Sequence, residues 1–375
     1  MKHRAVGAVL FGGGVLLLAL AAGLVFVVKP AMTKLPYDLE PSTSIAEAKG
    51  ATFLQISESG IGIHQADLDS IVKVTPERDK TAALSGDLAG ETVVWQVGQT
   101  VERTDRKERV SAYAAELALD RVTGEAVEWN EQFLDENGAP EKISFAGQVY
   151  KFPFNSERGN YEVFDRDLRQ TRVAEFKGTE DVNGLEAYRY EQVITDEKLS
   201  LAADRMGLLL GVLAPGSTSG DLVYSNTRTL WVDPVTGAYV KVREQQKKVL
   251  VPNAGAPVTL LDADFSYNEE TVTSSVQRAK DSRFQLTILG VAAPVGLAVL
   301  GLVLILVALF VSRSRTPATV GRHSADPTPT RVDEPAVRDD EREGGPLTDE
   351  IPPASTNWKS EVPGQRPAQD DAEKH

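Results

Sequence analysis

The sequence contains no cysteine, which excludes a disulfide scaffold, a cysteine nucleophile and a thiolate metal site. Histidine is nearly as scarce, since His3, His323 and His375 lie towards the chain ends and leave His64 alone in the body. One histidine without cysteine argues against zinc, which takes three or four good ligands. No Walker motif, H-E-x-x-H or EF-hand loop occurs, and no serine sits in a G-x-S-x-G elbow. Gly216-Ser-Thr-Ser-Gly220 comes nearest, with Thr218 at the nucleophile position. His64 therefore reads as a strand or surface residue rather than a general base. Positive charge is in deficit, with 40 Lys and Arg against 54 Asp and Glu and a formal charge of −14. Nucleic acid is not an expected partner, because phosphate binding draws on clustered cations. No cofactor, metal or catalytic residue is assigned.

Charge is also absent from two long apolar runs, Ala5 to Val28 and Phe284 to Val311. Each exceeds the roughly 20 residues that cross a hydrocarbon core. Lys2 and Arg4 before Ala19-Leu20-Ala21 offer a signal-peptide reading, but the apolar run continues past Ala21 to Val28, beyond a typical signal core, and reads as an uncleaved anchor. Lys2 and Arg4 before the first run, and Arg313, Arg315 and Arg322 after the second, place both termini in the cytoplasm. The expected organisation is a cytoplasmic start (1–4), a membrane helix (5–28), an extracytoplasmic domain (29–283), a second membrane helix (284–311) and a cytoplasmic tail (312–375). Small residues four apart, Ala8 with Gly12, Ala19 with Gly23 and Ala292 with Gly296, would let the two helices pack closely. Pro294 should kink the second helix by removing a main-chain donor.

Between these runs the dominant period is two, which predicts half-buried antiparallel strands. Val93, Trp95, Val97 and Val101 share one face; Ala238, Val240 and Val242 share another; Leu261, Ala263, Phe265 and Tyr267 a third. Asp120-Arg-Val-Thr-Gly124, Asp233-Pro-Val-Thr-Gly237 and Asn183-Gly184 supply the turns between them. The repeated D-x-V-T-G raises the question of an internal duplication of one β unit. Helix is expected at Ser42–Lys49 and at Asn268–Arg283, each opened by a capping residue. The fold class is thus β-rich (α+β): an antiparallel, curved or barrel-like domain flanked by N- and C-terminal transmembrane helices. Nine of the twenty prolines fall after Val311, among charged residues, so the tail is expected to be disordered. Thr316-Pro317 and Thr328-Pro329 there are candidate phosphorylation sites, and Trp358 a candidate anchor for a protein partner.

The paired acids Asp67/Asp69 and Asp262/Asp264 would share strand faces, as a calcium site or a glycosidase requires, although such pairs arise without function in so acidic a chain. The basic stretches Arg103–Arg109 and Lys241–Lys248 read as charged strand edges or as headgroup contacts. The most apolar run outside the membrane helices is Met206–Leu213; Met206, Leu208, Leu209, Leu210, Val212 and Leu213 form either a buried core strand or the lining of a pocket for an acyl chain.

Three patterns, GQVYKFPFNSERGNYEVFD (Gly147–Asp165), FKGTEDVNGLEAYRYE (Phe176–Glu191) and LWVDPVTGAYVKVRE (Leu230–Glu244), resemble the actinobacterial PorA-like porin family over residues from about 5 to 312. The resemblance implies an envelope membrane protein and, by the family's name, a pore; it carries over no catalytic residues. Hairpins of the W-x-D-x-x-T-G-x-Y kind are also similar to curved β-sheet lipid carriers, and the twice-anchored layout to class B scavenger receptors, both as analogies of architecture. Neither apolar run holds an ionisable residue to line a water-filled path. The leading expectation is a non-enzymatic, membrane-anchored envelope protein whose partners are the lipid bilayer and a lipid or other apolar envelope ligand. The alternatives are a scaffold joining the cell surface to partners of the tail, and a porin.

Overall fold

Alternating side chains and Asp/Gly turns build two five-stranded antiparallel meanders in the computed structural model, which describes residues 2–57, 60–136 and 138–313. The first comprises β1 (Ser42–Ser57), β2 (Gly60–Pro76), β3 (Thr92–Arg103), β4 (Glu108–Asp120) and β5 (Ala126–Val127); β6 (Phe133–Asp135) pairs beside β5 on β4. The second comprises β7 (Tyr161–Asp165), β8 (Gln170–Val182), β9 (Leu185–Leu199), β10 (Gly220–Val232) and β11 (Tyr239–Pro252), followed by β12 (Val258–Tyr267). β12 lies between β11 and β1, giving the order β5-β4-β3-β2-β1-β12-β11-β10-β9-β8-β7. The sheet curls into a half-barrel, the expected fold class. In each meander D-x-V-T-G joins the fourth strand to the fifth.

Among the described residues six α-helices accompany the sheet: α1 (Lys2–Gly23), α2 (Lys29–Met32), α3 (Arg78–Ala83), α4 (Ala203–Leu213), α5 (Glu269–Thr287) and α6 (Ala293–Arg313). α5 follows the expected start, with Asn268 Oδ1 accepting from Thr271 N at 2.9 Å. It packs Val272, Val276 and Ala279 against Val182, Leu185, Ala187, Trp231 and Val240 on the outside of the sheet. Lys280 and Arg283 then bond the β8–β9 and β10–β11 turns, so α5 and these turns mark the end of the sheet nearer the long apolar helices. The Asn183-Gly184 turn carries positive φ at both residues (51° and 72°), the two-residue hairpin geometry its sequence called for.

Ser42–Lys49 is strand rather than helix. Its main chain pairs with β2 on one side and β12 on the other, and this two-sided ladder overrides the local preference of its alanines. Met206–Leu213 is correspondingly helix rather than strand: the run forms most of α4, because the alternation needed for a strand is missing and one helical face suffices to bury Leu209 and Leu210. A bulge at Trp231/Val232 corrects one further register. It turns Val240 outward against α5, whereas Tyr239 and Val242 face the interior.

α1 and α6 pack antiparallel through Gly7, Gly14 and Gly301. A Cβ at Gly14 would stand 2.7 Å from the Gly301 carbonyl oxygen, and one at Gly301 2.8 Å from that of Gly14. Gly12, Gly23 and Gly296 from the expected spacing have nothing within 4 Å. The contact follows different glycines because Gly7 and Gly14 lie about two turns apart on one face of α1, whereas Gly12 and Gly23 fall on its opposite face and Gly296 falls off the face of Gly301 on α6. A π-turn, Leu24–Val28, follows α1 and another, Ile288–Ala292, precedes α6. Each π-turn ends two residues before a proline, Pro30 or Pro294. The wider turn accommodates a ring that would otherwise clash with the preceding carbonyls, so this is where the proline distortion expected at Pro294 is taken up. The outward faces are apolar and bare, with Val9 75%, Phe26 78% and Phe310 80% exposed. Such a surface calls for lipid, and the protein is a membrane protein. The tail features Thr316-Pro317, Thr328-Pro329 and Trp358 lie outside the described residues.

Replacing Gly14 by valine is expected to destabilise the helix pair by about 1–3 kcal/mol through overpacking. Gly12→Val should leave the thermal midpoint in detergent unchanged, and the pair of midpoints checks this contact.

Candidate functional site

The two free edges of the curled sheet are joined by one short segment. Gln148 bridges Glu125 beside β5 on one side and Val163 of β7 on the other. Ala126 N donates to Gly147 O (2.9 Å), Gln148 N to Glu162 O (2.8 Å) and Phe164 N to Gln148 O (2.9 Å). Gly147 has φ of 61° and its missing side chain would overlap the Glu162 carbonyl, so only glycine fits.

Both D-x-V-T-G turns clasp this segment. Asp120 Oδ1 accepts from Val122 N and Thr123 N (2.8 and 2.7 Å), and the Asp233 carboxylate accepts likewise from Val235 N and Thr236 N (3.1 and 3.3 Å). The two threonine carbonyls turn towards the segment: Thr123 O accepts from Gln148 Nε2 and Thr236 O from Lys151 Nζ. Phe152 N donates to Gly237 O at 2.9 Å, and its ring packs on Tyr161, Tyr190 and Tyr239 with centroids 4.7, 4.9 and 5.7 Å away. Residues 147–160, which lead into β7, are therefore the strap that crosses the open side of the half-barrel.

Beneath the strap lies a cavity of about 230 Å³ on the concave face. A single water needs only about 10–15 Å³ of such space, so this is a chamber rather than a packing flaw. Leu68, Val101, Val110, Leu261 and Phe265, which pack in one cluster, form its apolar side, joined in the lining by Val72 and Val242. A polar band of Arg166, Asp167, Arg228, Glu244 and Lys248 runs along the other side. Arg228 donates to Glu244 Oε1 (2.7 Å), Gln192 Oε1 (2.9 Å) and Phe164 O (3.0 Å) and lies 3.4 Å from buried Asp165. Lys248 meets Asp167 at 2.5 Å, and Arg166 stacks 4.3 Å over the Tyr113 ring. Burial alone would raise the Asp167 carboxyl, but Lys248 and Arg166 outweigh it and hold the group at about 2. Burial likewise opposes ionisation of Glu244, and Arg228 reverses that, leaving its pKa below the ordinary value. Tyr113 and Tyr150 share one hydrogen bond of 2.9 Å between their hydroxyls, and burial raises both pKa values.

The residues singled out from sequence fall elsewhere. Leu209 and Leu210 on α4 pack with Leu250 and Leu260 at the far end of the sheet, joined by Met206 and Leu213, while Leu208 and Val212 are exposed; none lines the cavity. Asp262 and Asp264 pair with Lys247 (3.7 Å) and Arg243 (2.6 Å), and Asp67 accepts from Gly50 N. No group of three metal-ligating side chains occurs among the described residues. His64 is exposed on β2 beside Phe53. Lys241–Lys248 lies on β11, an interior strand rather than an edge, because β10 and β12 flank it. Arg103 is buried against Asp105 and Gln55 and is not free for headgroups. Sequence reading missed the polar band because its members come from the β7–β8 turn, β10 and β11. The available signal was charge at inward positions, with Arg228 two residues from both Asn226 and Leu230.

Arg228→Met should cost about 3–5 kcal/mol, since it strands Asp165 and Glu244 in a buried site. Adding Glu244→Gln should recover part of the loss, which a double-mutant cycle of chemical denaturation measures. Lys151 gives a pH-dependent counterpart. Burial lowers its amine from 10.5 to about 7, against the opposing pull of Asp233. Between about pH 7 and 10.5 the unfolded chain holds a proton there that the folded chain does not, so stability should rise with pH across this window. Denaturation at pH 7 and pH 9 should show that rise in the native protein and lose it in Lys151→Met.

The resemblance drawn from the three motifs agrees with whole-chain comparison, in which residues 6–310 match the family described as Porin PorA. Porin PorA of Corynebacterium amycolatum is 25% identical over 263 residues, covering 56% of this chain and 68% of the relative. Porin PorA of Corynebacterium resistens is 25% identical over 301 residues, covering 60% and 73%. The motifs that carry the resemblance span the strap with β7, the β8–β9 hairpin and the β10–β11 hairpin, and the chain belongs to the Porin PorA family.

Proposed function

We propose that the half-barrel holds an apolar or amphipathic envelope molecule, such as a lipid, and presents it at the membrane to which α1 and α6 tether it. The reading includes a two-pass topology with both termini cytoplasmic and the sheet outside, consistent with the basic residues at the two outer flanks. The observation that carries it is the chamber of about 230 Å³, lined on its apolar side by Leu68, Val101, Val110, Leu261 and Phe265. Apolar pockets with a few convergent polar groups are the common form of a ligand site. No reaction is proposed; of the acids singled out for chemistry, Asp262 and Asp264 are held in cross-strand ion pairs. The apolar run of α4, with Leu209 and Leu210 inward, acts here as the plug of the far mouth.

The family's description favours a second reading, passage of the molecule from one end of the sheet to the other. That route requires α4 to move, because its Leu209–Leu210 face packs on Leu250 and Leu260 at that end. Binding is tested by native mass spectrometry of the full chain purified from its own envelope. A retained adduct of lipid mass is expected; an apo mass throughout the purification series sinks the proposal. Ion conductance in planar bilayers, set against that result, separates passage from holding.

A further inference from the structure

The polar groups of the chamber already bond one another. Arg166, Arg228 and Lys248 are answered by Asp167, Glu244 and Asp165. Ser70 Oγ accepts from Gln99 Nε2 at 2.6 Å, Gln246 Nε2 donates to Glu244, and the Tyr113 and Tyr150 hydroxyls bond each other. Among the described residues four side chains keep a buried polar atom without a hydrogen bond, Trp95, Gln148, Arg189 and Asn226, and none of them is in the lining. A headgroup entering the band would exchange bonds already made for new ones, a trade with little net gain. A charged headgroup would also part a buried carboxylate from its cation.

The apolar side works differently, because hydrocarbon set against Leu68, Val101, Val110, Leu261 and Phe265 leaves water without displacing any bond. Its capacity is small. An apolar cavity of about 150 Å³ takes one benzene, about six carbons. On that scale the 230 Å³ of the chamber takes roughly nine or ten. A lipid with two long chains is several times larger, so it can enter only by the end of one chain.

Resting on the proposed binding function, we infer that the chamber takes the end of a single hydrocarbon chain, about nine or ten carbons of it, while the headgroup stays outside. Binding is then selective for chain length and indifferent to the headgroup. Ala46 and Val101 line the chamber and pack on the cluster of Leu68 and Phe265, which makes them length-setting positions. A larger side chain at Ala46 takes space from the guest, and a smaller one at Val101 returns it.

The test uses the full-length protein in nanodiscs of zwitterionic lipid, with empty nanodiscs as the blank for partition and the small two-ring dye 1-aminonaphthalene as fluorescent reporter. The competitors are n-alkanols and n-alkyl phosphocholines, each from hexyl to tetradecyl. In both series the displacing concentration should fall roughly three- to fourfold per added methylene. The fall should stop at about nine or ten carbons, since further methylenes lie outside the chamber. Ala46→Leu should bring the break about three carbons shorter and Val101→Ala about two carbons longer. The two variants change the filling in opposite directions, so if one fails to fold the other decides. A fall that continues to tetradecyl, a break at different lengths in the two series, a break that the folded variant leaves in place, or a dye that no competitor displaces overturns this inference while the binding function stands on its retained adduct. Failure of the dye to bind the native protein overturns both.

Discussion

The structure depends on how a curled antiparallel sheet disposes of its two free edges. An unpaired edge exposes a row of main-chain donors and acceptors, and proteins cover it, charge it or close it. Here the answer is closure by the main chain of Gly147 and Gln148, which bonds both edges at once. Two identical Asx turns, one from each meander, hold the strap in place through Thr123 O and Thr236 O. The matching position of these turns gives the fold a repeated plan: each half supplies one clasp, and the strap between the halves receives both.

Closure creates the chamber and also sets its polarity. Once the strap crosses the concave face, the inward residues of β2, β3, β4, β10, β11 and β12 can no longer be solvated from that side. Apolar residues there are stable, whereas charged ones must be paired. This explains why Arg228 spreads its donors over a glutamate, a glutamine, a carbonyl and an aspartate rather than projecting into space. The strap pays its own polar cost at Lys151, whose amine is bonded to the Phe152 and Thr236 carbonyls and stacked 4.1 Å from the Phe154 ring.

The chamber is coupled to the membrane at one end. Asp233, fully buried, organises its turn and also accepts from Arg283 at 2.7 Å, the residue at which α5 leaves the sheet. Thus the turn that clasps the strap is the turn that anchors the membrane helix. The first helix is tied to the same end through Leu35, whose N–H donates to Arg121 O at 2.7 Å within the other clasp region. Both tethers and both clasps therefore converge on one end of the sheet, with α4 at the opposite end.

The sequence by itself determined the long apolar helices, the antiparallel character of the sheet and its principal turns, because these follow from local signals: uncharged length, alternation of side chains, and Asp or Gly where the backbone demands them. It also pointed to the family through motifs that fall on the strap and on two hairpins of the second meander. Ser42–Lys49 is strand because two flanking strands reverse its local preference, and Met206–Leu213 is helix because a short apolar run does not by itself separate a buried strand from a helix with one buried face. The glycines that pair the membrane helices, Gly7, Gly14 and Gly301, are set by which face of each helix meets the other, which a four-residue spacing does not record. The chamber was decided by the tertiary structure alone. Its charged band gathers Arg166, Arg228 and Glu244 from separate strands and a turn, and no spacing in the chain records that closing a sheet brings them together.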